Sequence, residues 1–76
     1  MKELLEVLAK YLVDNPNAIE VTETQKDNGV LLELRVAPDD MGKVIGKQGK
    51  IARAIRSVVK AAAMRDDKRV NVEIVQ

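Results

Sequence analysis

The chain has 76 residues, 13 Lys plus Arg against 12 Asp plus Glu for a formal net charge of +1, no Cys, no His and one aromatic, Tyr11. A chain this short makes one domain that buries only ~60% of the surface its unfolded form exposes, and without Cys it has neither disulfides nor thiolate metal sites. No apolar run is long enough to cross a bilayer, and Met1-Lys2-Glu3 leads into an amphipathic segment rather than a signal peptide, so a cytoplasmic protein is expected.

In the first segment Leu4, Leu5, Leu8, Tyr11 and Leu12 share one helical face. Asp14-Asn15-Pro16 ends it, because the residue before a proline resists helical geometry. Ile19, Val21 and Glu23 then alternate with Glu20, Thr22 and Thr24 as a half-buried strand does. Lys26-Asp27-Asn28-Gly29 is a turn with the Asn-Gly dipeptide that tight hairpins prefer. A second strand places Val30, Leu32, Leu34 and Val36 on one face and Glu33 and Arg35 on the other. Pro38-Asp39-Asp40 stops it and offers an aspartate cap for a short helix from Met41 to Ile45.

Gly46-Lys47-Gln48-Gly49 separates that short helix from a long one, Lys50 to about Met64. On the long helix Ile51, Ile55, Val58 and Ala62 fall on one face, and Lys50, Arg53, Arg56 and Lys60 on the opposite side. Asp66-Asp67-Lys68 is a turn, and Val70, Val72 and Ile74 alternate through a last strand. The order is α-β-β-α-α-β, an α+β domain over residues 1–76 with three helices on one face of a three-stranded sheet. The other sheet face is expected to be polar (Glu20, Thr22, Glu33, Arg35, Asn71, Glu73).

Charge is segregated along the chain. Residues 1–40 carry four basic and nine acidic side chains, residues 41–76 nine basic and three acidic, and 41–65 no acidic one. Such a field steers a polyanion toward one surface. Catalysis is poorly supplied: there is no His, and the only serine, Ser57, lies mid-helix without a base to activate it. Asp39-Asp40 and Asp66-Asp67 read as a cap and a turn rather than as metal ligands. A binding module is expected, with no cofactor and no metal.

Three readings compete for the Gly46–Gly49 segment. A tight helix–helix turn needs glycines for their dihedrals but has no use for Lys47 and Gln48 at its tip or a basic helix after it. A phosphate-binding P-loop requires four residues between its glycines and a hydroxyl after the lysine; Gly42 to Gln48 supplies three and a glutamine. The third reading is a nucleic-acid clamp, in which absent Cβ atoms let a sugar–phosphate backbone approach and the following helix aims its positive end at phosphates.

The run Val44-Ile45-Gly46-Lys47-Gln48-Gly49-Lys50-Ile51, continued by Ala54-Ile55-Arg56, resembles the signature of the KH domain, V-I-G-x-x-G followed by spaced isoleucines. With Leu12 to Pro16, Leu34 to Asp40 and Val70 to Val75, the chain resembles the small bacterial single-KH proteins of the KhpA family over almost its whole length, with the type II order of elements. That resemblance implies binding of single-stranded RNA, a chaperone or post-transcriptional role, and a larger KH-containing partner of the KhpB (Jag, EloR) kind. It further implies a link to cell elongation and peptidoglycan homeostasis.

The clamp is expected at Gly46, Lys47, Gln48 and Gly49. Phosphate contacts are expected from Lys43, Lys50 and Arg53, with Arg56 and Lys60 further out, and a base-facing floor from Val44, Ile45 and Ile51. For Ile55 and Val58 burial in the core is the stronger reading, and Tyr11 reads as a helix packing residue. A homodimer or a heterodimer with the larger partner is expected, with the uncharged helix edge Val59, Ala62, Ala63 and Met64 as a contact surface. An adaptor that keeps the fold without binding RNA, and a single-stranded DNA binder, remain as alternatives.

Overall fold

The computed structural model describes residues 1–75. Three helices, α1 (Lys2–Leu12), α2 (Met41–Ile45) and α3 (Lys50–Arg65), and three strands, β1 (Glu20–Lys26), β2 (Gly29–Arg35) and β3 (Val70–Val75), follow in the order αββααβ. Short 3-10 turns at Pro16–Ala18, Pro38–Asp40 and Lys47–Gly49 lead into β1, α2 and α3. The sheet runs β1-β2-β3, antiparallel between β1 and β2 and parallel between β2 and β3. A parallel pair needs a crossover, and here α2, the glycine loop and α3 form it.

Register fixes which residues meet the helices. Val21 stands opposite Leu34, and Leu32 and Leu34 stand opposite Val72 and Ile74. Leu32 and Leu34 at the sheet centre are wholly buried, as are Leu5 and Ala9 of α1, Val44 of α2 and Val59 of α3. α1 packs along β1 and α3 along β3, while α2 meets both helices at one end of the layer. The opposite face is polar as expected, except that Leu31 and Val75 are half-buried within it.

The hairpin turn spans Lys26 to Gly29 as expected, with Lys26 paired to Gly29 across Asp27-Asn28 and a positive φ (+141°) on Gly29. A Cβ at Gly29 would lie 2.4 Å from the Arg69 carbonyl oxygen. That carbonyl accepts the Val30 N–H at 2.9 Å, joining the hairpin to the start of β3.

The buried line of α3 is Ala52, Ile55, Val59 and Ala63, not Ile51, Ile55, Val58 and Ala62. The helix is turned by about 75° from the expected orientation, at ~100° per residue. Ile55 is core, but Val58 is 46% exposed. Val59 and Ala63 are buried too, so they form no free contact edge.

Asp40 departs from the sequence reading as well. No side chain caps α2; the Asp40 carboxylate, only 2% exposed, instead accepts the N–H groups of Asp14 at 3.3 Å and Asn15 at 3.1 Å. It thereby ties the exit of α1 to the entrance of α2. The Asp66–Lys68 turn is as expected. Lys68 N–H reaches the Ala63 carbonyl at 2.9 Å and Asp67 N–H that of Met64 at 3.1 Å, around an Asp67 at φ +61°, which is a Schellman end without the usual glycine.

Candidate nucleic-acid interface

The glycine loop joins α2 to α3 through three residues of unusual conformation. Gly46 sits at φ +74°, ψ 177°, a region essentially restricted to glycine. Gln48 is left-handed at φ +56°, ψ +26°, and Gly49 likewise at φ +74°, ψ +16°. Hydrogen bonds from Gly46 N–H to Gly42 O at 2.9 Å and from Gly49 N–H to Gly46 O at 3.2 Å hold the turn from within.

The two glycines do different work. A Cβ on Gly46 would come within 2.6 Å of Ile51 Cγ1 and 2.9 Å of Cδ1, so this position is closed by the protein itself. A Cβ on Gly49 would meet nothing within 4 Å. Its bare backbone faces open space at the N-terminus of α3, and no side chain caps that end. First-turn N–H groups of a sixteen-residue helix carry a positive partial charge that favours an anion.

The surrounding cations fall into two groups. Lys47, Lys50, Arg53 and Lys60 are exposed, and among the described residues none takes part in an ion pair. Arg56 is half-buried and donates its Nε–H to the Val72 carbonyl at 3.1 Å, bridging α3 to β3. Arg56 and Lys60 thus lie on the flank of α3 that faces β3, whereas Lys50 lines the groove on the α1 side.

Lys43 stands apart from these. Its ammonium pairs with the Asp14 carboxylate and with Asp40 at 3.5 Å. The hydrogen bond that Lys43 donates to Asp14, with Asp40 behind it, raises the Lys43 pKa above the usual lysine value against the effect of partial desolvation. Burial by itself pushes the Asp40 carboxyl up, but the N–H groups of Asn15 and Asp14 and the Lys43 ammonium outweigh it and hold it below the ordinary carboxylate value. Lys43 is therefore already engaged by two carboxylates, which a reading of charge along the sequence does not reveal.

Of the expected apolar floor, Val44 is wholly buried and out of reach of any ligand. Ile45, 37% exposed, borders the loop. Ile51 is half-buried; it packs over Gly46 and lines an apolar groove between α1 and α3 with Leu8, Tyr11, Leu12, Ala54 and Val58. Tyr11 is 86% exposed and so does not pack into the helix layer. Sequence periodicity placed Leu8, Tyr11, Leu12 and Val58 of this groove on packing faces, because they are larger apolar residues at helical spacing.

Among the described residues no group of acidic side chains is placed to hold a metal ion, and no helix is long and apolar enough to cross a membrane.

Residues 2–74 match the family model described as KhpA/KhpB, KH domain. The chain is 60% identical over 75 residues to the RNA-binding protein KhpA of Clostridium acetobutylicum, covering 99% of this chain and 100% of that protein. It is 47% identical to the RNA-binding protein KhpA of Aquifex aeolicus, over 100% of this chain and 96% of that protein. The protein of the same name from Listeria monocytogenes is 42% identical over the full length of both. Among solved structures, an Era variant of Aquifex aeolicus bound to GDP and aluminium fluoride superposes with a TM-score of 0.66 at 20% identity, over 96% of this chain and 28% of that one. At that identity the likeness is one of fold. Sequence motif, element order and near-complete alignment agree: the chain belongs to the KhpA/KhpB KH-domain family.

Proposed function

We propose that the chain, as a single KH domain, binds single-stranded RNA by its backbone at Gly46-Lys47-Gln48-Gly49. The observation that carries this reading is Gly49, a left-handed glycine with nothing within 4 Å of its missing side chain, at the uncapped start of α3. A turn that served only to join helices gains nothing from leaving that face open. Relatives named RNA-binding proteins at up to 60% identity support the choice of ligand. Lys47, Lys50 and Arg53 supply phosphate contacts, Arg56 and Lys60 extend the field, and Ile45 offers apolar contact to a base. Lys43 contributes mainly by holding the two aspartates that shape the loop's approach.

Three phosphate contacts give a log–log salt dependence of about −2 on a single strand. Changing Lys47 and Gln48 both to Asp abolishes binding and leaves thermal unfolding close to that of the wild type, since both side chains are exposed. An undiminished RNA complex with a folded double variant refutes the assignment. Running the same titration on single-stranded DNA decides between the two polymers.

One module holding about four nucleotides binds weakly, and a second tethered site raises effective concentration. The apolar groove between α1 and α3, with Tyr11 and Val58 exposed, favours association through this face, with a second copy or with a larger KH-containing partner of the KhpB kind. A cytoplasmic RNA chaperone or post-transcriptional regulator tied to cell elongation and peptidoglycan homeostasis is the cellular role this reading proposes.

A further inference from the structure

The Gly46–Gly49 loop is carried by α2, and α2 has little of its own to hold it. Its five residues, with no side-chain cap, are too few to be helical by themselves in water. Near the loop its anchor is Val44, wholly buried. At the other end the anchor is Asp40, the one charged side chain that is buried among the described residues.

An aspartate placed only to cap α2 would keep its oxygens on the first turn of that helix. Asp40 turns them away instead: one oxygen accepts the Asp14 N–H at 3.3 Å and the other the Asn15 N–H at 3.1 Å. Both donors lie between the end of α1 at Leu12 and the turn that starts at Pro16. Burying a carboxylate costs free energy unless its hydrogen bonds are made, so the two N–H groups fix where this side chain can sit. Lys43 braces the same point, paired with Asp14 and, at 3.5 Å, with Asp40. The loop begins at Gly46, ~9 Å of helix rise beyond Asp40. With Val44 as the fulcrum between them, the seat of the carboxylate sets the tilt of α2 and so the place of Gly46.

We propose that Asp40 is a positioning residue for RNA binding: buried out of reach of any strand, it ties α2 to the exit of α1 and so presents the Gly46–Gly49 backbone in its binding-competent arrangement. The inference rests on the reading of the loop as an RNA clamp and adds a remote determinant of its affinity.

The test uses two substitutions of equal charge. Asp40→Asn and Asp14→Asn each remove one negative charge, which by field alone strengthens the binding of a polyanion. Asp14→Asn keeps the backbone N–H that makes the tie, whereas Asp40→Asn sets an amide nitrogen, a donor, against one of the two N–H groups. Binding of a fluorescent oligouridylate is read by anisotropy well below the melting temperature of each variant. Asp40→Asn should bind about 3–10-fold more weakly, as when the competent fraction falls to ~10–30%. Its log–log salt slope should stay at the wild-type value, because no phosphate contact is lost. Asp14→Asn should bind no more weakly than the wild type. Wild-type affinity in Asp40→Asn, an equal change in both variants, or a shallower slope for Asp40→Asn overturns the proposal. Amide exchange in the wild-type protein reads the tie without any substitution, should Asp40→Asn fail to fold. By linkage RNA must slow exchange at Asp14 and Asn15, and unchanged exchange at both overturns the positioning role. Lys47→Asp with Gln48→Asp reads the clamp separately: if that variant still binds the oligouridylate, the loop assignment is wrong, whatever Asp40 does.

Discussion

The two glycines of the loop make a paired prediction, because the structure assigns them different penalties. In Gly46→Ala the new methyl would stand 2.6 Å from Ile51 Cγ1 on a backbone at φ +74°, ψ 177°. A non-glycine residue in that region costs ~1–3 kcal/mol, and forcing a methyl into a filled space adds ~1–3 kcal/mol. In Gly49→Ala the methyl meets open space, so only the left-handed backbone counts, ~1–2 kcal/mol. A domain of 76 residues is stable by roughly 4–11 kcal/mol at 0.05–0.15 kcal/mol per residue, so the first change consumes a large part of that margin and the second a small one. Thermal unfolding should separate the two variants, at ~4–8 °C per kcal/mol for a domain of this size. Adding Ile51→Ala to Gly46→Ala should recover part of the loss as a favourable coupling in a double-mutant cycle. RNA titration should run in the other sense: Gly49→Ala stays folded yet binds poorly, because its methyl occupies the face left to the strand. Equal stability of the two variants, or no coupling to Ile51, refutes the division of labour between the glycines.

Two further outcomes follow from side chains outside the loop. The lowered Asp40 pKa means that its contribution to stability is present above the ordinary carboxylate range (~3.9) and is lost as pH falls through the lowered folded value. Asp40→Asn should therefore lower stability at neutral pH and flatten the acid limb of the unfolding profile; an unchanged acid limb counts against the Asp14–Asn15 tie. The raised Lys43 pKa acts on the other side, its contribution being present below ~10.4 and lost as pH rises through the raised value. Val58→Asp, at a half-exposed position of the α1–α3 groove, should shift sedimentation toward monomer without loss of fold. A wild-type chain that stays monomeric at high concentration, alone and with a larger KH-containing partner, removes that groove as an interface.

Much of the architecture was legible in the sequence because each element announces itself locally. Strand alternation from Val30 to Val36 and the stop at Pro16 need no tertiary information. The rotation of α3 was not legible, for a physical reason. Its buried line includes Ala52 and Ala63, whose small side chains give little hydrophobic signal yet let the helix sit close to its neighbours. Ile51 and Val58 give the stronger signal from the flank. Asp40 misled in another way: two aspartates before a helix read as a cap, and its actual partners lie 25 and 26 residues away. The glycine loop itself was visible as a motif, but only geometry distinguishes the closed Gly46 from the open Gly49.

The bond from Arg56 to the Val72 carbonyl has a bearing on solubility. β3 is an edge strand, and an unguarded edge is a template onto which another chain's strand can add. A guanidinium held against the middle of that edge puts a fixed charge where an incoming strand would need a backbone donor. The same arginine lies on the flank offered to RNA, so a strand that draws it away from Val72 would also have to cover the edge it leaves behind. Nucleic acid and protection from self-aggregation would then be two occupants of one site.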